Sequence, residues 1–227
     1  MSIKGYAHSI VGGREMNQDS FLVDDTLSLY VVADGIGGGL KGDVASKMAV
    51  EGLQSRIAGN KPLIDAIKGL QHTIYNEAMT MFGEPLMGTT LTSARFDLSV
   101  PGEATVHLGH VGDSRCYLFD GNILKQMSED HESYDDTFQG SVLNSYLGID
   151  TRSYQIKIQD EKFPVQAGNR LLMCSDGLYK QMQEMRIIEL IRENFSNPQE
   201  LLAKMCDEAS KVEYSDNVTI VYVEIEA

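Results

Sequence analysis

The chain has 227 residues, a length that suits one large domain and can bury a sizeable core without disulfides. At 42% hydrophobic and 23% charged residues it has a globular composition, which excludes a disordered chain. With 33 Asp and Glu against 19 Lys and Arg the net charge is −14. A surface of that sign repels nucleic acid and anionic membranes but not metal cations.

The 5 prolines are scattered and no Ser/Gly-rich or charged block marks a linker, so a single domain over residues 1–227 is expected. Cys116, Cys174 and Cys206 are odd in number and show no CxxC spacing, which points to a reducing, cytoplasmic setting. Met1 to Tyr6 lacks the apolar core of a signal peptide. No apolar run approaches the roughly 20 residues that span a bilayer. A secreted, membrane-spanning or DNA-binding protein is not expected.

Residues 20–24 and 27–33 read as strands around Asp25-Thr26, and together as a hairpin. Residues 42–58 and 61–82 read as helices. Val44, Met48, Leu53 and Ile57 in the first, and Leu63, Ile67, Leu70 and Ile74 in the second, fall near helical spacing. Gly59-Asn60-Lys61-Pro62 separates them. Strands are expected at 89–97, 104–111, 115–119 and 122–126, then a polar surface loop over 128–148. Further strands are expected at 154–159 and 170–174, helices at 180–194 and 198–211, and a last strand at 217–225. Blocks of strands flanked by helix pairs argue against a βαβ parallel sheet and for an α+β architecture of mostly antiparallel sheets.

Five aspartates share one setting, beside an apolar strand and a small or turn-forming residue: Asp19, Asp34, Asp113, Asp176 and Asp216. Any one of them alone reads as a turn residue. Asp19 opens the first strand of the hairpin and Asp34 closes the second, so antiparallel pairing brings them together. Asp176 follows a strand and Asp216 precedes one. Carboxylates gathered at one edge need compensating charge, and oxygen donors without His or Cys favour Mg²⁺ or Mn²⁺. Two such ions sharing a carboxylate activate water for attack on phosphorus, and Asp34-Gly35 is the best bridging pair. Arg14 at the mouth of such a site would grip phosphate oxygens as a fork; its plain alternative is a surface arginine.

Gly37, Gly39 and Gly42 satisfy G-x-G-x-x-G, but Asp34 would face a pyrophosphate and no strand promptly follows the helix, so a dinucleotide site is rejected. His131 is read as anchoring a loop, with a proton donor as its alternative, His107 and His110 as structural, and Cys174 as a buried, inert thiol. Met79, Met81 and Met87 are read as core packing.

The ordered series resembles the metal-dependent serine/threonine protein phosphatases of the PPM family, or type 2C. It runs from Arg14 through Asp19-Ser20, Val32-Ala33-Asp34-Gly35-Ile36-Gly37-Gly38, Gly88-Thr89-Thr90-Leu91 and Gly112-Asp113-Ser114-Arg115. It ends with Asp130-His131, Cys174-Ser175-Asp176-Gly177-Leu178 and Asp216-Asn217-Val218-Thr219. The resemblance implies a four-layer α/β/β/α sandwich with a two-metal centre at one end. It makes Asp34 the bridging ligand, with the Gly35 carbonyl also on a metal. Asp176 and Asp216 become ligands of the first metal. Asp19 becomes a ligand or a partner of metal-bound water, and Asp113 the acidic residue near a third, weaker metal. Arg14 takes the substrate phosphate.

Two or three Mn²⁺ or Mg²⁺ ions are implied, with a phosphorylated protein as substrate, a serine/threonine kinase as functional counterpart, and a monomer. The chain departs from the pattern at Gln18, where many members have Glu. It also departs at Ile36, where some have a proton-donating His and many bacterial ones Met, at Gly39, often His in bacterial members, and at Glu132, where Ser is common. The segment from His131 to Leu147-Gly148 is short for the flap beside the site. Hydrolysis of phosphoserine and phosphothreonine in proteins by a two-metal-activated water is therefore expected. The alternatives are a pseudophosphatase that binds phosphoproteins or a kinase, and a phosphatase of small metabolites.

Overall fold

The computed structural model describes residues 1–36, 41–137, 139–193 and 197–227. In chain order its elements begin with β1 (Ser2–Ile10), β2 (Ser20–Asp24), β3 (Leu29–Ala33), β4 (Gly35–Ile36), α1 (Gly42–Ala58) and α2 (Leu63–Phe82). Next come β5 (Gly88–Thr89), β6 (Leu91–Asp97), β7 (Ala104–Val111), β8 (Arg115–Phe119), β9 (Leu124–Gln126), β10 (Glu132–Asp135) and β11 (Gly140–Leu143). The chain ends with β12 (Gln159–Val165), β13 (Arg170–Cys174), α3 (Asp176–Tyr179), α4 (Glu184–Glu193), α5 (Pro198–Ala209) and β14 (Val218–Glu226).

Two five-stranded antiparallel sheets carry the fold, in the orders β1-β14-β13-β8-β9 and β12-β7-β6-β3-β2. Strand alternation sorts their side chains into three apolar layers. In β3, Tyr30 and Val32 meet Met173, Leu171 and Val221 of the other sheet, while Leu29 and Val31 turn to Leu53, Ile67 and Leu70 of α1 and α2. On the opposite side Leu172, Cys174 and Ile220 pack under α3–α5 through Leu178, Ile187, Leu201 and Met205. The layers are therefore helix, sheet, sheet, helix, as the resemblance implies. Each fully buried Leu or Ile in them contributes about 1.5–3 kcal/mol.

Local signals account for the elements that sequence places well. Pro62 presets the entry to α2, so the helix starts at Leu63 rather than 61, and Gly83 at φ 72° closes it. Asn197 caps α5, its side chain accepting from the Glu200 N–H, with Pro198 following. The β2–β3 hairpin pairs Ser20 with Ala33 and Asp24 with Leu29.

Four expectations need correction. The N-terminal strand β1 was not anticipated; its polar, glycine-containing run becomes a strand by pairing with β14 along its whole length. The strand expected at 154–159 lies at Gln159–Val165. It is an edge strand, where charged side chains and Pro164 are tolerated. The loop expected over 128–148 contains the β10–β11 hairpin and buries Ser145 and Leu147. The helix expected at 180–194 is broken: α3 ends at Tyr179 and α4 starts at Glu184, which lets Leu178 and Met182 enter the core. Asn194, at the end of that expected helix, and Gly37 and Gly39 of the glycine run lie outside the described residues. Met87 is buried as expected, whereas Met81 is exposed at 44%.

Candidate active site

The five aspartates reach one end of the sandwich from three directions. The β2–β3 hairpin, in one sheet, carries Asp19 and Asp34 at its open ends, next to the paired Ser20 and Ala33. The adjacent strands β13 and β14, in the other sheet, carry Asp176 just after one and Asp216 just before the other. The turn Gly112-Asp113-Ser114 joins β7 in one sheet to β8 in the other and delivers Asp113.

Close backbone approach makes this convergence possible. A Cβ on Gly35 would strike the Gly42 carbonyl and come within 2.6 Å of the Gln18 carbonyl, and a Cβ on Gly177 would strike the Asn217 carbonyl. Only glycine fits either place. The Asp34 backbone is fixed by Thr89 and Thr90: the Asp34 N–H donates to Thr90 Oγ1, and its carbonyl accepts from the Thr90 N–H and the Thr89 hydroxyl, each at 2.9 Å. Thr89 is held in turn by Leu147 through two backbone bonds, and Gln71 of α2 pins Gly148 and Ile149.

The side chains divide into three groups. Arg14, Gln18, Asp34, Gly35 and Asp216 line an open cleft of about 410 Å³. The Arg14 guanidinium forks onto Asp216, Nε to Oδ1 at 2.9 Å and Nη2 to Oδ2 at 2.6 Å. Its own pKa is raised by that bond and by the charges of Asp216, Asp176 and Asp34. Asp113 and Asp176 share the Lys180 ammonium, at 3.4 and 2.7 Å. Asp19 is part-buried and lines a neighbouring pocket with Ser9 and Asn17. The Ser175 hydroxyl donates to Asp19 Oδ2 at 2.7 Å, while Asp19 Oδ1 is buried without a partner.

Burial and mutual repulsion keep several of these acids protonated above the ordinary range. Asp34 is pushed well up by burial, then by the charges of Asp19, Asp176, Asp113 and Asp216. Burial pushes Asp19 up to about 6 against the restraint of the Thr219 and Ser175 hydroxyls, with Asp176 and Asp216 adding to it. Asp113 is likewise pushed up to about 6 by burial and Asp176, with Lys180 opposing.

This donor set fits a hard divalent cation. It offers oxygen atoms only, an orphaned buried carboxylate oxygen on Asp19 and an uncompensated carboxyl on Asp34. Among the described residues no three His, Cys, Asp or Glu side chains form a ready-made cage. Arg14 and Lys180 occupy oxygens of Asp216, Asp113 and Asp176 instead.

The residues expected to be structural are so. His131 Nδ1 accepts from the Gly112 N–H, and its own N–H donates to the Gly112 carbonyl, which anchors the Asp113 turn. His110 is buried between Thr92 and the Glu129 carbonyl, and burial, with His131 beside it, lowers its pKa to about 3. His107 pairs with Asp160. Cys174 is fully buried and burial pushes its thiol up. Sequence reasoning missed Lys180, which it placed at the start of a helix, and Ser175 and Asn217 as positioning groups. Asn217 Oδ1 accepts from the Gln18 N–H and its Nδ2 donates to the carbonyls of Val11 and Met16, which fixes the Arg14 segment. The spacing of Lys180 four residues after Asp176 was the available signal.

Comparison with known proteins agrees with this geometry. The serine/threonine phosphatase stp of Listeria monocytogenes serotype 4b is 29% identical to this chain and aligns with 93% of it and 91% of the relative. The crystal structure of the Mycobacterium tuberculosis serine/threonine phosphatase PstP/Ppp superposes with a TM-score of 0.82 at 25% identity, covering 100% of both chains. A second structure, the PstP catalytic domain in complex with two manganese ions, gives a TM-score of 0.80 at 24% identity over 99% of each chain. The family model described as Stage II sporulation protein E (SpoIIE) matches residues 24–226, nearly the whole chain, which therefore belongs to the SpoIIE/PPM-type family.

Proposed function

We propose that this chain is a metal-dependent serine/threonine protein phosphatase whose catalytic domain spans residues 1–227. The observation that carries the reading is the gathering of Asp19, Asp34, Asp113, Asp176 and Asp216 at one end of the sandwich, beside the Arg14 guanidinium. The assignment is also supported by the relative solved with two manganese ions. Asp34, the Gly35 carbonyl, Asp176 and Asp216 would hold Mn²⁺ or Mg²⁺, with Asp19 beside them.

Bound cations supply Lewis-acid charge for the phosphoryl oxygens and lower the pKa of water. The chain's own residues do the rest. Arg14 swings from Asp216 to take two phosphoryl oxygens as a fork, orienting the ester in the cleft. Ser175 holds Asp19 through Oδ2 and leaves Oδ1 without a protein partner. Thr89 and Thr90 hold Asp34 in place by its backbone. Ile36 offers no proton, so the departing serine or threonine oxygen takes its proton from solvent.

The phosphoprotein substrate implies a kinase as its counterpart and a role in signalling, and we assign the chain to the cytoplasm as a monomer. Among the described residues no helix is long and apolar enough to cross a membrane. The test is phosphate release from a phosphothreonine peptide with Mn²⁺, with EDTA, and with Asp176→Asn plus Mn²⁺. Release that needs metal and collapses in the variant is expected. Phosphopeptide binding without release from a folded, Mn²⁺-loaded wild type would make the chain a pseudophosphatase. Comparable efficiency on small phosphorylated metabolites would move the substrate class.

A further inference from the structure

Lys180 stands among the acids of this end with no part in the proposed hydrolysis. Its backbone N–H closes the single turn of α3 on the Asp176 carbonyl, which fixes its Cα one turn beyond that acid. Its ammonium lies 2.7 Å from Asp176 Oδ2 and 3.4 Å from Asp113 Oδ2. Asp113 precedes β8 and Asp176 follows its paired neighbour β13, and their side chains are only 8% and 19% exposed. The neighbouring Tyr179 hydroxyl donates to the Asp113 carbonyl, tying α3 to the same turn.

The two intrinsic cations differ in kind. Arg14 meets one half-exposed acid from a segment 202 residues away in sequence, and can leave it. Lys180 is tethered to the backbone of one of its partners and bridges both. A divalent ion placed between Asp113 and Asp176 would have to displace this ammonium or sit beside it as a like charge. We propose that Lys180 is the permanent cation of the Asp113–Asp176 pair. It fills the place of a third ion, takes Asp176 Oδ2 while leaving Oδ1, and confines divalent loading to the side of Asp34, Asp19 and Asp216. This rests on reading the site as a metal centre, and it removes Asp113 from the metal ligands that the resemblance implies.

The experiment counts bound Mn²⁺ per chain by equilibrium dialysis and elemental analysis, over micromolar to millimolar Mn²⁺, with phosphate release read in parallel. Lys180→Gln and Lys180→Met should each bind one more ion than wild type at millimolar Mn²⁺. Adding Asp113→Asn to either should return the count to the wild-type value. Asp113→Asn alone should leave the wild-type count unchanged. Thermal melts confirm that each variant is folded; the Lys180 side chain is 46% exposed, so its replacement leaves no buried void.

Equal counts in wild type and both Lys180 variants would overturn the proposal, as would loss of an ion from Asp113→Asn alone. A gain of one ion with no phosphate release by wild type would sustain the proposal and sink the phosphatase reading. Release with no gain would do the reverse.

Discussion

The Arg14 guanidinium forks onto both oxygens of the Asp216 carboxylate, two hydrogen bonds holding residues that stand 202 positions apart. The groups that sequence assigns to substrate phosphate and to a metal therefore neutralise each other when neither ligand is present. The pair is 56% and 38% exposed, so it contributes little to stability, about 0–1 kcal/mol. Arg14→Ala should leave the melting midpoint in denaturant almost unchanged. Loss of a two-pronged contact to phosphate should raise KM for a phosphopeptide ~10–100-fold. Equal KM in variant and wild type would remove Arg14 from the substrate site.

The raised acids give the metal-free protein a pH signature. Asp19 and Asp113 each titrate at about 6 when folded, above the ordinary carboxylate value near 4. Groups shifted in that direction favour the folded state at low pH, and that contribution is lost as pH rises through 6. In EDTA, changing pH from 7.5 to 5 should therefore recover on the order of 2 kcal/mol from this pair. Asp19→Asn should flatten its share of the slope. Mn²⁺ should raise the melting temperature more at pH 7.5 than at 5, because protons and metal compete for the same oxygens. A metal-induced shift independent of pH would contradict this.

Much of the site was legible because its nearest parts are local. Asp19 and Asp34 flank a strand–turn–strand whose hairpin pairing follows from a short turn, and the Ser20–Ala33 register delivers it. The α+β class followed from blocks of strands flanked by helix pairs, and the four layers from the family resemblance; β3, β13 and β14 are the apolar strands buried on both faces. What sequence could not show depended on partners distant in the chain. The strand β1 exists because β14 offers it a complete ladder, and β12 survives as a charged strand only at an edge. Lys180 reads as an ordinary helix lysine until the β7–β8 turn brings Asp113 to it.

Gln18 should be a brake on metal affinity. Its amide nitrogen is buried in the cleft wall with no hydrogen-bond partner. Gln18→Glu would add another carboxylate to the cluster at nearly constant volume. Without metal the added charge is poorly compensated and should cost about 1–3 kcal/mol. With Mn²⁺ it should tighten binding ~10-fold, about 1.4 kcal/mol. A Mn²⁺ titration followed by heat or by protein melting reads both signs, and unchanged affinity would show that Gln18 faces away from the ions.

Gly177 joins the stability of the fold to the geometry of its site. It follows Asp176 in α3, and a methyl group there would meet the Asn217 carbonyl and come within 3.3 Å of the Val218 side chain. The contact is with backbone, which has no rotamer to change, so the loop after β13 and the segment before β14 must separate. Those two segments carry Asp176 and Asp216, and the same movement would pull Asn217 from the Gln18 N–H that positions the Arg14 segment. Gly177→Ala should therefore destabilise the metal-free protein by about 2–4 kcal/mol. It should also weaken Mn²⁺ binding in the fraction that stays folded. The second effect separates this variant from an ordinary core defect. Leu190→Ala in α4 removes a side chain from the layer beneath the first sheet and should cost a similar ~2–5 kcal/mol. It lies in α4, outside both segments, so its folded fraction should bind Mn²⁺ as the wild type does. Matched losses of metal affinity in the two variants would show that the glycine serves the fold alone.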